Sequence, residues 1–224
     1  MNLKAVILAG GKGERIGGNK PLVSLNGKPL IYWTLQNISS LFSEVFISVK
    51  TAEQKEKIQQ ALANYNVRIK DEFFILDKDP WLMGPVSGIF SAMDFFYVKR
   101  QKKTVLLIMA VDQPFIPLSF LKKLISLSRI FFNFAIVRKT FDKINPFPGI
   151  YPCSLKEELE IFVKNSPKKS LFRLFLFLQK RNQVLFLKDC VKINEKEAFL
   201  NINTPEDLKF AELCFSQNWK NQKT

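Results

Sequence analysis

Short uninterrupted apolar runs recur along this chain, each followed by polar or glycine-rich residues and then by apolar positions three or four apart. Leu3, Val6, Ile7 and Leu8 form the first run, suited to a strand covered on both faces. Asn26-Gly27 within PLVSLNGKPL signals a tight hairpin or turn. A helix is predicted from about Pro29, with Ile31, Leu35, Ile38 and Phe42 at helical spacing. EVFISV reads as the second strand, AEQKEKIQQALA as a polar, exposed helix, and FFIL, ending at Asp77, as the third strand. GPVSGIFSAMDFF opens a further helix, and TVLLIMAVD is a fully apolar strand closed by Asp112. The second half is less regular. PLSFLKKLISL is amphipathic, FNFAIV, FPGIY and NQVLFL are strand-like, and ELEIFV and LFRLFLFL look helical. The last element opens NTPEDL, with Thr204 as N-cap, Pro205 at the first helical position and acids in the first turn. Strands alternating with helices imply an α/β chain, and the absence of a linker, repeat or low-complexity tract implies one domain over 1–224.

The first strand runs directly into GGKGERIGGNK, where Gly10, Gly11 and Gly13 lie beside Lys12, Arg15 and Lys20. Backbone N–H groups converging in such a turn make an anion-binding concavity, which fits a polyphosphate. Two commoner motifs fail. A Walker A loop needs Gly-Lys followed by Ser or Thr, but Lys12 precedes Gly13 and Lys20 precedes Pro21. The dinucleotide pattern starting at Gly11 would require Gly or Ala where Ile16 stands, and the second strand ends at Lys50 rather than an acid. The plain alternative is a glycine-rich turn that only joins strand to helix.

Composition narrows the chemistry. The 224 residues are enough for a full core, and the 22 phenylalanines imply that much of it is aromatic. With no histidine, Ser-His-Asp and Cys-His catalysis are excluded, together with most zinc and iron sites. Carboxylates, Lys/Arg, backbone amides and a hard cation held by oxygen remain. Cys153, Cys190 and Cys214 are widely spaced and odd in number, suiting a reducing compartment. The longest apolar stretch, SLFRLFLFL, is short and broken by Arg173, and no signal peptide is evident, so a soluble cytoplasmic protein is expected. A net charge of +14 invites a nucleic-acid reading. The basic residues are nevertheless spread along the chain, and the densest cluster, KRQKK at 99–103, reads as a solvated turn. The same field would attract an anionic small molecule or an acidic protein.

Ligands of parallel sheets collect at the carboxyl ends of the strands. The glycine segment, Asp77 and Asp112 all fall there. Asp112, which closes an apolar strand before Pro114, could hold Mg²⁺ together with phosphate oxygens, or could simply serve as a turn or capping acid. Asn203-Thr204 has an adequate capping explanation. Taken together, LAGGKGERIGGNKPL at 8–22, Asp77 seven residues before GPVSG at 84–88, VDQPF at 111–115 and NINTPEDL at 201–208 resemble the molybdenum cofactor guanylyltransferase family. The resemblance spans nearly the whole chain in the family's order. It departs at Ile16, where the family usually has Met, and at Ser48 to Lys50, where it often carries Asn.

The resemblance implies a three-layer Rossmann-like nucleotidyltransferase fold with a mostly parallel central sheet. It also implies transfer of GMP from MgGTP to the terminal phosphate of molybdenum-molybdopterin, with pyrophosphate leaving and a guanine dinucleotide cofactor formed. Carried onto this chain, it gives Arg15 and Lys20 the phosphates, Asp112 the Mg²⁺, and the segment Leu8, Ala9, Gly10 and Gly11 the nucleotide, with Asp77 at the guanine edge. Molybdenum insertion proteins and acceptor molybdoenzymes are the implied partners, with neither nucleic acid nor membrane. The competing readings are a CTP-dependent or other phosphate-acceptor nucleotidyltransferase, a non-catalytic nucleotide-binding cofactor chaperone, and a basic RNA-binding protein.

Overall fold

The computed structural model describes residues 2–11, 13–77, 84–99, 101, 103–140, 143–166, 168–188 and 195–218. β1 (Asn2–Leu8) leads through the hairpin β2 (Ser24–Leu25) and β3 (Lys28–Pro29) into α1 (Leu30–Ile38). Asn26 and Gly27 both take positive φ, 48° and 75°, as the tightest hairpin turn requires. β4 (Val45–Val49), α2 (Ala52–Ala63), β5 (Phe74–Leu76), α3 (Pro85–Val98) and β6 (Thr104–Ala110) follow in strict alternation. Then come α4 (Leu118–Ile130), β7 (Ala135–Thr140), β8 (Lys143–Pro152), α5 (Lys156–Asn165), α6 (Leu171–Lys180), β9 (Val184–Lys188), α7 (Glu195–Ala198) and α8 (Pro205–Asn218). No helix among the described residues is long and apolar enough to cross a membrane.

Seven strands form one sheet in the order β5-β4-β1-β6-β8-β7-β9. All neighbours are parallel except those of β8, which runs antiparallel to both β6 and β7. Only two residues separate β7 from β8, too few for a crossover, so the pair must be antiparallel. The apolar runs of β1 and β6 alternate between two cores, as a period of two demands. Ala5, Ile7, Leu107 and Met109 pack with buried residues of α1, α2, α4 and α8. Val6, Leu106 and Ile108 pack with α3, α5 and α6 on the opposite face. This is the expected α/β sandwich of three layers. Its interior is more aliphatic than the phenylalanine count suggests. Phe46, Phe95 and Phe96 do meet edge-to-face, whereas Phe131, Phe132, Phe172 and Phe210 are exposed.

The chain leaves β5 for α3 and crosses back to β6 on the far side of β1. The order of strands therefore reverses between β1 and β6, and the carboxyl ends there diverge into a crevice.

Candidate functional site

That crevice holds a cavity of about 430 Å³ lined by residues that follow four adjacent strands. Asp77 comes after β5, Lys50 after β4, Gly10, Gly11, Glu14 and Lys20 after β1, and Val111 and Asp112 after β6. Three inter-strand spacings separate the Asp77 end from the Asp112 end, a span of about 14 Å. A smaller cavity of about 240 Å³ shares Gly10, Gly11 and Lys50 and opens toward Thr51 and Gln54 of α2.

At the β6 end, Lys20 Nζ lies 2.5 Å from Asp112 Oδ2 and 2.6 Å from Asn203 Oδ1. Both charged side chains are largely covered, at 12% and 14% exposure, so their attraction is less screened than on an open surface. The surrounding backbone is held from two directions. Thr34 of α1 donates to the Val111 carbonyl at 3.1 Å, and Asn37 donates to the carbonyls of Pro114 and Ile116 at 3.2 and 2.8 Å. From the C-terminal side, Ile202 N–H donates to the Asp112 carbonyl at 2.9 Å and Gln113 Nε2 to Asn201 Oδ1 at 2.9 Å.

At the β5 end, the Ser48 hydroxyl donates to Asp77 Oδ1 and the Ser87 hydroxyl to Asp77 Oδ2, each at 3.2 Å. Ser48 is the penultimate residue of β4 and Ser87 sits in the first turn of α3. Burial raises the Asp77 pKa above the usual carboxylate value, opposed by the two hydroxyls and the charge of Lys50. Between the two ends, Gln54 stitches the floor. Its Nε2 donates to the Ala9 carbonyl at 2.9 Å, and its Oε1 accepts from Lys50 N–H at 2.9 Å.

The glycines divide into two kinds. Gly13 is imposed by the fold, with φ of 65° and a would-be Cβ only 2.9 Å from Lys20 N. At Gly10 and Gly11 the nearest atoms to a would-be Cβ are 3.7 Å away, so the protein's own packing does not demand glycine there. Both line the cavity, which makes close approach by an occupant the better account of them.

Of the residues singled out from sequence, Leu8, Gly10, Gly11, Lys20, Asp77 and Asp112 converge on the one cavity. Ala9 lies beneath it, fully buried, with N–H donating to the Ser48 carbonyl at 2.8 Å. Arg15 is not brought in: it is exposed on the 3₁₀ turn Glu14–Ile16, and the neighbouring Glu14 lines the cavity instead. Lys12 and Cys190 fall outside the described residues, as do Arg100 and Lys102 of the basic cluster. Cys153 and Cys214 are buried and unbridged. Sequence reasoning noted Ser48 to Lys50 only as a departure from the family's pattern and missed Gln54 and Ser87, whose relevance is visible only once β1, β4, β5, α2 and α3 are brought together. Asn203 was explained as a cap, but Thr204 and Asp207 do the capping. Thr204 Oγ1 accepts from Asp207 N–H at 3.2 Å, and the Asp207 carboxylate accepts from Asn203 and Thr204 N–H at 2.9 Å each. The Asn203 side chain is thereby left to face Lys20.

The described charges around the cavity are Lys20 and Lys50 against Glu14, Asp77 and Asp112. With Lys20 already engaged by Asp112, an anionic ligand would need a further cation. No cluster of three or more metal-ligating side chains exists among the described residues, so that cation would share Asp112 with oxygens of the ligand.

The profile of the MobA-like NTP transferase domain matches residues 5–183. A molybdenum cofactor guanylyltransferase of Shewanella putrefaciens is 26% identical over 92% of this chain and 94% of its own. Among solved structures, molybdopterin-guanine dinucleotide biosynthesis protein A from Archaeoglobus fulgidus superposes with a TM-score of 0.72 at 29% identity, covering 96% of this chain and 99% of its own. The 4-diphosphocytidyl-2C-methyl-D-erythritol synthase of Anaerococcus prevotii gives a TM-score of 0.69 at 17% identity with 96% of each chain covered, a likeness of fold alone.

Proposed function

The chain belongs to the MobA-like NTP transferase family, and on that premise we propose that it transfers GMP from MgGTP to the terminal phosphate of molybdenum-molybdopterin. The observation that carries this reading is the placement of Asp77 at one end of the cavity and the Lys20–Asp112–Asn203 group at the other, with the glycine backbone between them. A nucleotide laid across the strand ends meets an acceptor pair at its base and cations and amides at its phosphates. The Asp77 carboxylate can accept from both N1–H and N2–H of guanine, whereas the corresponding edge of cytosine offers acceptors.

The chemistry asks little of acids and bases. An oxygen of the acceptor phosphate attacks the α-phosphorus of GTP, a new P–O–P linkage forms, and the bond to the β-phosphate breaks with pyrophosphate leaving. The nucleophile is already anionic, so no general base is required of a chain without histidine. The barrier lies in bringing anions together and in charge growing on the leaving group. Asp112 would hold magnesium with phosphate oxygens, supplying charge neutralisation there. Lys20, released from Asp112 and steadied by the Asn203 carbonyl oxygen, then places its ammonium on the phosphates. Gly10 and Gly11 bring their backbone to the nucleotide, and Arg15 can reach the phosphates only if its exposed turn closes over them. The acceptor reaches this site from the open side of the cavity, with molybdenum insertion proteins as its suppliers and acceptor molybdoenzymes as the consumers of the dinucleotide product.

Thermal unfolding with GTP, CTP, ATP and UTP in the presence of Mg²⁺ tests the reading, since a ligand that binds only the folded state stabilises it by mass action. GTP is expected to give the largest shift. Asp77→Asn should transfer preference to XTP, because the new amide can donate to the xanthine 2-oxo group while its carbonyl still accepts from N1–H. Equal shifts for all four nucleotides would remove the guanine assignment, and a larger shift with CTP would replace it by a cytidylyltransferase.

A further inference from the structure

We propose that Ser48 and Ser87 form a two-sided clamp that sets the orientation of the Asp77 carboxylate and so determines the base specificity of the site. The inference rests on the guanine reading given above and assigns the discrimination to residues beyond Asp77 itself.

The two hydroxyls divide the carboxylate between them. Ser48 donates to Oδ1 from the end of β4, and Ser87 donates to Oδ2 from the first turn of α3. Both serines are buried, at 2% exposure each, while Asp77 lies between them half-covered at the cavity wall. A carboxylate about its final torsion is broad in preference and turns readily. With one hydroxyl on each oxygen from opposite elements, rotation in either direction breaks a bond. Each oxygen has about two lone-pair sites, so one per oxygen remains for a ligand. Two remaining acceptors on one plane match two parallel N–H donors, the geometry of the N1–H and N2–H edge.

The backbone fixes the clamp as firmly as the side chains. Asp77 N–H donates to the Val49 carbonyl at 2.9 Å, continuing the β4–β5 ladder one residue past β5. Ser87 N–H donates to Gly84 at 3.1 Å, the opening turn of α3. Gly88 permits the approach of that turn, because a Cβ there would lie 3.0 Å from Leu8 Cδ2 and 3.5 Å from Ser48 Oγ. The strand β4, the strand β5 and the helix α3 thus meet at one carboxylate. At 3.2 Å both contacts are long for a hydroxyl on a carboxylate, so their contribution is direction more than strength. The effect expected of losing both is accordingly moderate, roughly tenfold in discrimination and not a loss of binding.

The test uses equilibrium binding, without the acceptor substrate, of GTP, ITP and CTP with Mg²⁺ to the full chain and to Ser48→Ala, Ser87→Ala and the double variant. ITP keeps N1–H but lacks the 2-amino group, so it reads the second donor of the pair alone. In the double variant the GTP preference over ITP and over CTP should fall roughly tenfold while CTP affinity stays unchanged. Ser87→Thr, which keeps the hydroxyl, should restore most of it. Thermal unfolding of the unliganded variants confirms that they are folded. A wild-type protein with no preference for GTP defeats the guanine reading itself. A wild-type preference that survives intact in the double variant, whether affinities are unchanged or all three nucleotides weaken by the same factor, defeats the clamp and leaves the guanine reading standing.

Discussion

Lys20 has two roles that a substitution separates. In the structure it pairs with Asp112 at 2.5 Å, and in catalysis it is assigned the charge that grows on departing pyrophosphate. Lys20→Ala should lower kcat by roughly 10²–10³, the scale of losing one preorganised electrostatic donor. GTP affinity should fall less, because the glycine amides remain. A variant with weaker GTP binding and unchanged kcat would show uniform binding instead of transition-state stabilisation. Asp112→Asn keeps the shape and removes the charge, so turnover should collapse in a folded protein and recover in part at raised Mg²⁺. Asp77 carries a cost that the fold bears for the sake of the site. Its pKa is raised by burial, so the folded state favours the protonated form, and the stability linked to it is full below the usual carboxylate pKa and lost as pH rises through the raised value. The charged groups around it among the described residues are Lys50 at the end of β4, Glu14 and Lys20 from the glycine segment, and Asp112 after β6. Asp77→Asn removes the charge, so its urea midpoint should exceed that of wild type at neutral pH and the advantage should close as pH falls below the usual carboxylate range. A variant equally destabilised at both pH values would show that the carboxylate serves the fold.

Elements were legible where the pattern was local. The apolar runs of β1 and β6, the hairpin at Asn26-Gly27 and the α2 stretch are found where the sequence places them, α2 over Ala52–Ala63 with its Thr51 side chain accepting from Gln54 N–H. Boundaries moved where tertiary packing decides them. α1 stops at Ile38, and Phe42 packs on the core from beyond its end. β8 starts at Lys143, four residues before FPGIY, because pairing with β7 extends it. The 3₁₀ turns at Glu14–Ile16 and Lys20–Leu22 have no periodic signal, and the first of them decides that Glu14 and not Arg15 faces the cavity. The cap of α8 illustrates both sides. Its chemistry was readable from NTPEDL, but the release of the Asn203 side chain toward Lys20 was not, because Lys20 is brought there by the fold. Thr204→Ala should cost about 1 kcal/mol of stability, the usual worth of a side-chain cap, with nucleotide binding little changed. Asp207→Ala frees the Asn203 and Thr204 amides together, so it should also reduce the thermal shift produced by GTP and Mg²⁺. Equal ligand shifts in the two variants would mean that the cap does not position Asn203.

At the scale of the molecule, the site is a meeting of segments far apart in sequence. Lys20, Ser48, Asp77 and Asp112 are joined through strand order, since β5, β4, β1 and β6 are neighbours in the sheet although β5 and α3 separate β4 from β6 along the chain. Placing strand-end residues together needed only the α/β alternation and the rule that ligands collect at carboxyl ends, which is why the glycine segment, Asp77 and Asp112 could be read in advance. The C-terminal segment could not be placed that way. It reaches the site from outside the sheet, tied by Ile202 N–H on the Asp112 carbonyl and by Gln113 on Asn201. A ligand bridging both ends of the cavity therefore restrains the chain at five separated places. Hydrogen exchange of the full chain with and without GTP and Mg²⁺ should show slowed exchange at 9–11, 48–50, 77, 111–113 and 202–204 together, while α5 and α6 on the far side of the sheet stay unchanged. Local openings that expose only part of the site would lose the ligand, so the slowing should grow with GTP concentration by the same mass action at every segment. Protection confined to residues 9–11 would leave the glycine segment as an isolated anion site, and Asp77 and Asn203 would then have no share in the nucleotide.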